Sequence, residues 1–148
     1  METTIKQFAV VEIGGGNDIG SSESISDPAI LKRSPSPTER LGWLYRAALT
    51  CYNEGCSEDI ESNRLHWLRK ARDYALEAHE LEPTDVEVLS LLCSSTGKLA
   101  EDSSSLDKVK YGFEFQKYLD RAIALRADSY EFLHMRGRFQ YQVLFQSN

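Results

Sequence analysis

The feature that most limits what this chain can fold into is a match to itself at a spacing of 44 residues. Tyr74 and Tyr118, Ala78 and Ala122, Leu81 and Leu125, Glu87 and Glu131, and Leu89 and Leu133 stand at that separation, inside one ungapped window from Asp73 to Cys93. A repeat of this length holds one supersecondary unit, which cannot bury its apolar face alone and has to stack on a neighbour. The matches run through a helical pattern, a turn and the start of the next helical pattern, so the unit is a pair of helices. Pro83 falls opposite Ala127 and Cys93 opposite Gly137, which puts small residues where helices are expected to cross closely.

The apolar spacing extends this reading to five helices and no sheet. Ser36-Pro37-Thr38-Glu39 is a helix start: the Ser36 hydroxyl caps, Pro37 takes the first turn and Glu39 reaches back, as in a capping box. Leu41, Leu44, Tyr45, Ala48, Leu49 and Tyr52 carry that helix to about Tyr52, where Asn53-Glu54-Gly55 is expected to stop it. A second helix is expected from about Glu58 to Leu81, ended by Pro83. A short third begins at Val86 and closes at Gly97, a fourth runs from about Leu106 to Leu125, and a fifth starts near Ser129. Residues 1–36, with Gly14, Gly15, Gly16 and Gly20 followed by serines and prolines, read as a flexible tail, leaving 37–148 as the repeat domain with its last unit incomplete. Within the tail only Phe8 to Ile13 resembles a strand.

Composition closes off several function classes. With 17 Lys and Arg against 23 Asp and Glu the net charge is −6, which gives no footprint for nucleic acid. No apolar run approaches the roughly 18 residues of a membrane-spanning helix, and Met1 to Ile13 lacks the basic leader of a secretory signal. A cytoplasmic location without a transmembrane anchor is the expectation, and the three cysteines are read as free thiols. The Gly14 to Gly20 stretch misses the dinucleotide fingerprint by one residue and has Ser21 where a phosphate loop needs lysine. His66, His79 and His134 fall on different helices, and Cys51 and Cys56 lack zinc-site spacing, so no metal, cofactor or catalytic constellation is expected.

The spacing Ala71, Ala75, Ala78 and then Pro83 resembles the second helix of a tetratricopeptide repeat. Trp43, Leu89 and Leu133 fall where that motif has a large residue, with Ala47, Cys93 and Gly137 four positions later. The fold class expected is all-α, with antiparallel helical hairpins stacked as a short solenoid. Three segments are more particular: Ala71-Arg72-Asp73-Tyr74-Ala75-Leu76-Glu77-Ala78 ahead of Leu81-Glu82-Pro83, the stretch from Lys110-Tyr111-Gly112-Phe113 to Arg121-Ala122-Ile123, and His134-Met135-Arg136-Gly137-Arg138-Phe139-Gln140-Tyr141. On these the region from Leu41 to Tyr141 resembles the regulator of microtubule dynamics family. The resemblance implies a non-enzymatic protein that binds microtubules and supports spindle organisation and chromosome segregation. Some members of that family sit at organelle contacts, which implies as the alternative a scaffold or membrane-contact adaptor holding a peptide or lipid. Where the family has a His-Lys-Trp segment, this chain has Leu89-Ser90-Leu91.

The first helix of each hairpin lines the inner face of such arrays. That mapping makes Tyr52, Ser90, Ser94, Lys98, His134, Arg138 and Tyr141 candidate groove contacts for a protein partner. From Ser104 onward the chain turns net positive, and Lys108, Lys110, Lys117, Arg121, Arg126 and Arg136, with Arg138, are candidates for a basic surface facing acidic tubulin. Ser34 and Ser36 each precede proline and are candidate phosphorylation sites, Ser36 doubling as the helix cap. A last helix without its hairpin partner leaves apolar residues to be covered by a partner, by a second copy of the chain or by residues outside this sequence, and an exposed apolar face favours association.

Overall fold

The computed structural model describes residues 34–146, and the strand-like and glycine-rich stretches before Ser34 lie outside them. Five helices follow in order: α1 Pro37–Ser57, α2 Glu61–Leu81, α3 Val86–Asp102, α4 Ser105–Leu125 and α5 Tyr130–Gln146. Among the described residues every regular element is helical. The chain starts α1 as its sequence dictates: the Ser36 hydroxyl accepts from the Glu39 N–H at 3.2 Å, and the Glu39 carboxylate accepts from the Ser36 N–H at 2.8 Å. Two of the three orphan donors of the first turn, where Pro37 has none, are thereby satisfied.

Two expected stops are overturned. Helix α1 runs through Asn53-Glu54-Gly55 to Ser57, and α3 runs through Gly97 to Asp102. Both glycines are packing sites instead. A Cβ on Gly55 would lie 2.9 Å from Leu68 Cγ of α2, and one on Gly97 would lie 3.2 Å from the Phe115 ring of α4. Each glycine lets the partner helix of its hairpin approach more closely than a Cβ would permit without a shift of Leu68 or Phe115. Gly137 does not do the same, because nothing lies within 4 Å of a Cβ built there. Helix α2 also starts later than its acidic run implies, at Glu61. Arg64 instead bonds the Glu58 and Asp59 carbonyls at 3.3 and 3.4 Å and the Asp102 carboxylate at 3.0 Å, which ties the first turn to the end of α3.

The 44-residue spacing survives in the backbone. Both ends of α4 lie 44 residues beyond those of α2, and both ends of α5 lie 44 beyond those of α3. The turns agree as well: Glu82 has φ −140° and ψ 85°, and Arg126 has φ −141° and ψ 79°. The N–H groups of Glu82 and Arg126 close onto the carbonyls of Ala78 and Ala122 at 3.0 and 2.9 Å. Asp85 then caps α3 through the Val88 N–H, and the Ser129 hydroxyl accepts from the Phe132 N–H ahead of α5. Pro83 is therefore dispensable to the turn geometry, since Ala127 in the same place allows the same turn.

Helices α1 and α2 are antiparallel. Arg40 pairs with Glu77 and Trp43 meets Tyr74 edge-on at 5.6 Å near one end, while Gly55 lies on Leu68 near the other. Helix α2 touches α1 and α3, and α4 touches α3 and α5, so each helix packs mainly on its neighbours in sequence. The small side chains of Ala71 and Ala75, 0% and 1% exposed, let α2 lie between its neighbours. Leu68, Leu89, Leu92 and Leu99 are all fully buried around that layer, each contributing roughly 1.5–3 kcal/mol of apolar burial. One continuous core joins α1 to Phe132 and Met135 of α5.

Candidate binding groove

Between α3, α4 and α5 the surface opens into a groove of about 1550 Å³. Its floor is the inner face of α3 and the paired rings of Phe115 and Phe139, whose centroids are 5.2 Å apart. One wall is the first half of α4, with Val109 and Phe113, and the other is the second half of α5, with Val143 and Leu144.

Of the groove candidates, Tyr52, Ser94, Lys98, His134 and Arg138 line this space, and Lys108 joins them from the basic set. Tyr52 lies beneath the surface at 2% exposure and serves as core. Ser90 and Tyr141 are not in the lining. The Ser90 hydroxyl donates to Glu131 at 2.7 Å, clamping α3 to α5, and Tyr141 meets Phe145 in a tilted contact at 4.6 Å on an exposed part of α5. Arg138 and Lys98 both reach the Glu101 carboxylate, at 3.3 and 4.0 Å, and the Gln142 amide reaches it at 3.4 Å.

The basic candidates divide among four places. Lys110, Lys117 and Arg121 fall three to four residues apart with Glu114 on one stripe of α4. Within it, Lys110 lies over the Tyr111 ring at 5.4 Å, and Lys117 and Arg121 over Tyr118 at 5.4 and 5.7 Å. Lys108 faces the groove, Arg126 forms the α4–α5 turn, and Arg136 pairs with Asp120. Beside the stripe, buried His79 on α2 receives Arg121 at 3.1 Å. Burial, and then the positive charge of Arg121, hold the His79 imidazole below its ordinary pKa. Ser34 is exposed, and Ser36 is exposed with its hydroxyl engaged as the α1 cap.

The thiols are placed for packing. Cys51 and Cys93 are buried thiols, Cys93 fully so, with burial pushing its pKa up, and Cys56 packs against the core half-buried. Among the described residues no group of three His, Cys, Asp or Glu side chains is placed to hold a metal ion, and no helix is long and apolar enough to cross a membrane. The walls contributed by α4 were missed, because a mapping that credits only the first helix of each hairpin overlooks the second. A signal was available: Phe113 falls off the stripe of Tyr111, Phe115, Tyr118, Leu119 and Ala122 that buries α4, and it is 69% exposed.

Helix pairs that repeat at 44 residues and leave a groove beside the last pair define an all-helical protein built from recurring units. A family model described as regulator of microtubule dynamics protein 1-3 matches residues 24–147. The chain belongs to this family. It is also similar to regulator of microtubule dynamics protein 1 of Caenorhabditis elegans, 27% identical over 100 residues, a stretch that covers 68% of this chain and 44% of that protein. The chain thus spans less than half the length of the curated relative it matches. No solved structure matches it.

Proposed function

We propose that this chain is a non-enzymatic microtubule-associated protein that regulates microtubule dynamics, acting in the cytoplasm on the cytoskeleton and at the spindle during chromosome segregation. Membership of the regulator of microtubule dynamics family carries this reading. The architecture behind it is a short tetratricopeptide-like solenoid, a reading supported by the 44-residue displacement of both helices and turns. The docking surface is the α4 stripe of Lys110, Lys117 and Arg121. Its acidic member, Glu114, shares Arg72 with Asp73, and three cations against one carboxylate make the stripe net positive on a chain of net charge −6. Tubulin polymers are acidic, and such a stripe meets them through screened Coulomb attraction.

Co-sedimentation with stabilised microtubules over a salt series tests the reading. The chain is expected in the pellet at low ionic strength and to leave it progressively as the Debye length shrinks from about 30 Å to about 10 Å. A chain that stays in the supernatant at the lowest salt contradicts it.

A further inference from the structure

Helix α5 enters the core through Phe132 and Met135, and the opposite side of the helix carries an exposed stripe. Its members are Tyr130, His134, Gly137, Tyr141 and Leu144, at alternating intervals of four and three residues. That alternation is the seam spacing of a helix that pairs with another helix. Tyr130 is 82% exposed, Tyr141, Leu144 and the flanking Phe145 are each about two-thirds exposed, and Leu133 is about half exposed. The rings are ordered on either side of Gly137, Tyr130 stacked on His134 at 5.9 Å and Tyr141 tilted against Phe145 at 4.6 Å. Among the described residues nothing lies within 4 Å of a Cβ built on Gly137. Gly55 and Gly97 each admit a neighbouring helix of the same chain, whereas the space above Gly137 is open to another molecule.

The stripe matches itself when turned end for end about Gly137. Tyr130 then lies opposite Leu144, each seven residues from the glycine, and Leu133 lies opposite Tyr141, each four residues from it. His134 falls against Gln140, three residues away on either side, so an imidazole meets an amide that can donate or accept. Charge does not oppose the match. Residues 139–146 include no Asp, Glu, Lys, Arg or His. Glu131, Arg136 and Arg138 are engaged within the chain by Ser90, Asp120 and Glu101. Two identical stripes therefore meet without the like-charge juxtaposition that rejects wrong partners. The rings of Tyr130, Tyr141 and Phe145 expose roughly 300–500 Å². Leu133 and Leu144 bring the stripe toward the about 800 Å² per partner of a stable interface.

We propose that α5 is a homodimer interface, in which two copies of the chain pair antiparallel through this stripe and cross at Gly137 on a twofold axis. The contact is isologous, so it closes at two chains. A pair carries two α4 stripes, and its hold on an acidic polymer gains by avidity without any new contact. That consequence rests on the microtubule reading, whereas the pairing does not.

Sedimentation equilibrium of the full chain over a concentration series tests the pairing. The mass is expected to pass from one chain to two in the micromolar range. Tyr141→Asp, at an exposed position, puts a carboxylate into the seam and is expected to raise the dissociation constant at least about tenfold with the helical circular dichroism unchanged. Gly137→Ala guards against misfolding as the cause. In dilute, separate chains it gains helix propensity and does not lower the unfolding temperature, yet its methyl stands between the crossed helices and should weaken pairing about tenfold. Leu133→Lys alone is expected to weaken pairing, and added to Tyr141→Asp to recover part of the loss, because the crossing sets these two positions opposite each other. Phe113→Ser, on α4, should pair as the wild type does. A single chain at every concentration, assembly beyond two, indifference to either Tyr141→Asp or Gly137→Ala, or no recovery in the double variant would overturn the proposal. Since no microtubules are present, failure here leaves the tubulin reading to its own test.

Discussion

Arg72 on α2 donates two hydrogen bonds to the Glu114 carboxylate on α4, from Nε at 3.0 Å and from Nη2 at 2.8 Å, linking the second helices of successive hairpins. Both side chains are about one-fifth exposed. Burial alone would lower the Arg72 pKa, and the hydrogen bonds to Asp73 and Glu114 outweigh it and raise it. A bidentate, partly desolvated pair of this kind is stronger than an exposed surface bridge. Arg72→Ala is expected to cost about 1.5–3 kcal/mol in urea unfolding. The exchanged pair Arg72→Glu/Glu114→Arg should recover part of that loss, and a double-mutant cycle with no coupling would show that the hairpins are joined by apolar contact alone.

Gly55 in α1 and Gly137 in α5 should respond differently to alanine. At Gly55 the new methyl meets Leu68 at 2.9 Å, and overpacking of about 1–3 kcal/mol exceeds the helix-propensity gain of about 1 kcal/mol. The net effect is destabilising. At Gly137 nothing lies within 4 Å, so the full gain of about 1 kcal/mol is expected. Thermal unfolding of both variants checks the pair. A stabilised Gly55→Ala would mean that α1 and α2 are further apart than described.

His79 gives the fold a pH dependence. Its folded pKa is lowered by burial and by Arg121, so between the folded value and the unfolded value of about 6.5 the unfolded chain holds more protons. Stability is therefore complete above that unfolded value and falls as pH drops through the window to the folded value. The groups facing the ring are Arg121 and Tyr118 from α4, with Lys117 and Glu80 nearby, and only Glu80 opposes the shift. His79→Gln keeps an acceptor for Arg121 and cannot titrate. Its urea midpoint should fall less than that of the wild type between pH 7.5 and pH 5, and equal falls would remove His79 from the account.

Much of this architecture was legible because it rests on local chemistry. Ser36, Pro37 and Glu39 specify the start of α1 wherever they occur, and the pairs from Tyr74 and Tyr118 to Leu89 and Leu133 carried the helix–turn–helix unit. Gly55 and Gly97 misled because a glycine that ends a helix and one that admits a neighbouring helix look alike until Leu68 and Phe115 are seen above them. The groove was half legible. Ser94, Lys98, His134 and Arg138 followed from the repeat pattern, whereas Ser90 was lost to Glu131, a partner 41 residues away. The walls from α4 depend on how α4 and α5 face each other across the groove, which no local pattern encodes.

The central claim is that the α4 stripe holds the chain to microtubules. Its most direct test is low-salt co-sedimentation of the wild type beside Lys110→Glu/Lys117→Glu, two exposed changes that leave Arg121 on His79. The account predicts that the wild type pellets with microtubules and that the variant, with unchanged unfolding midpoint, binds at least about tenfold more weakly. Equal pelleting of the two proteins, or no pelleting of the wild type, would contradict it.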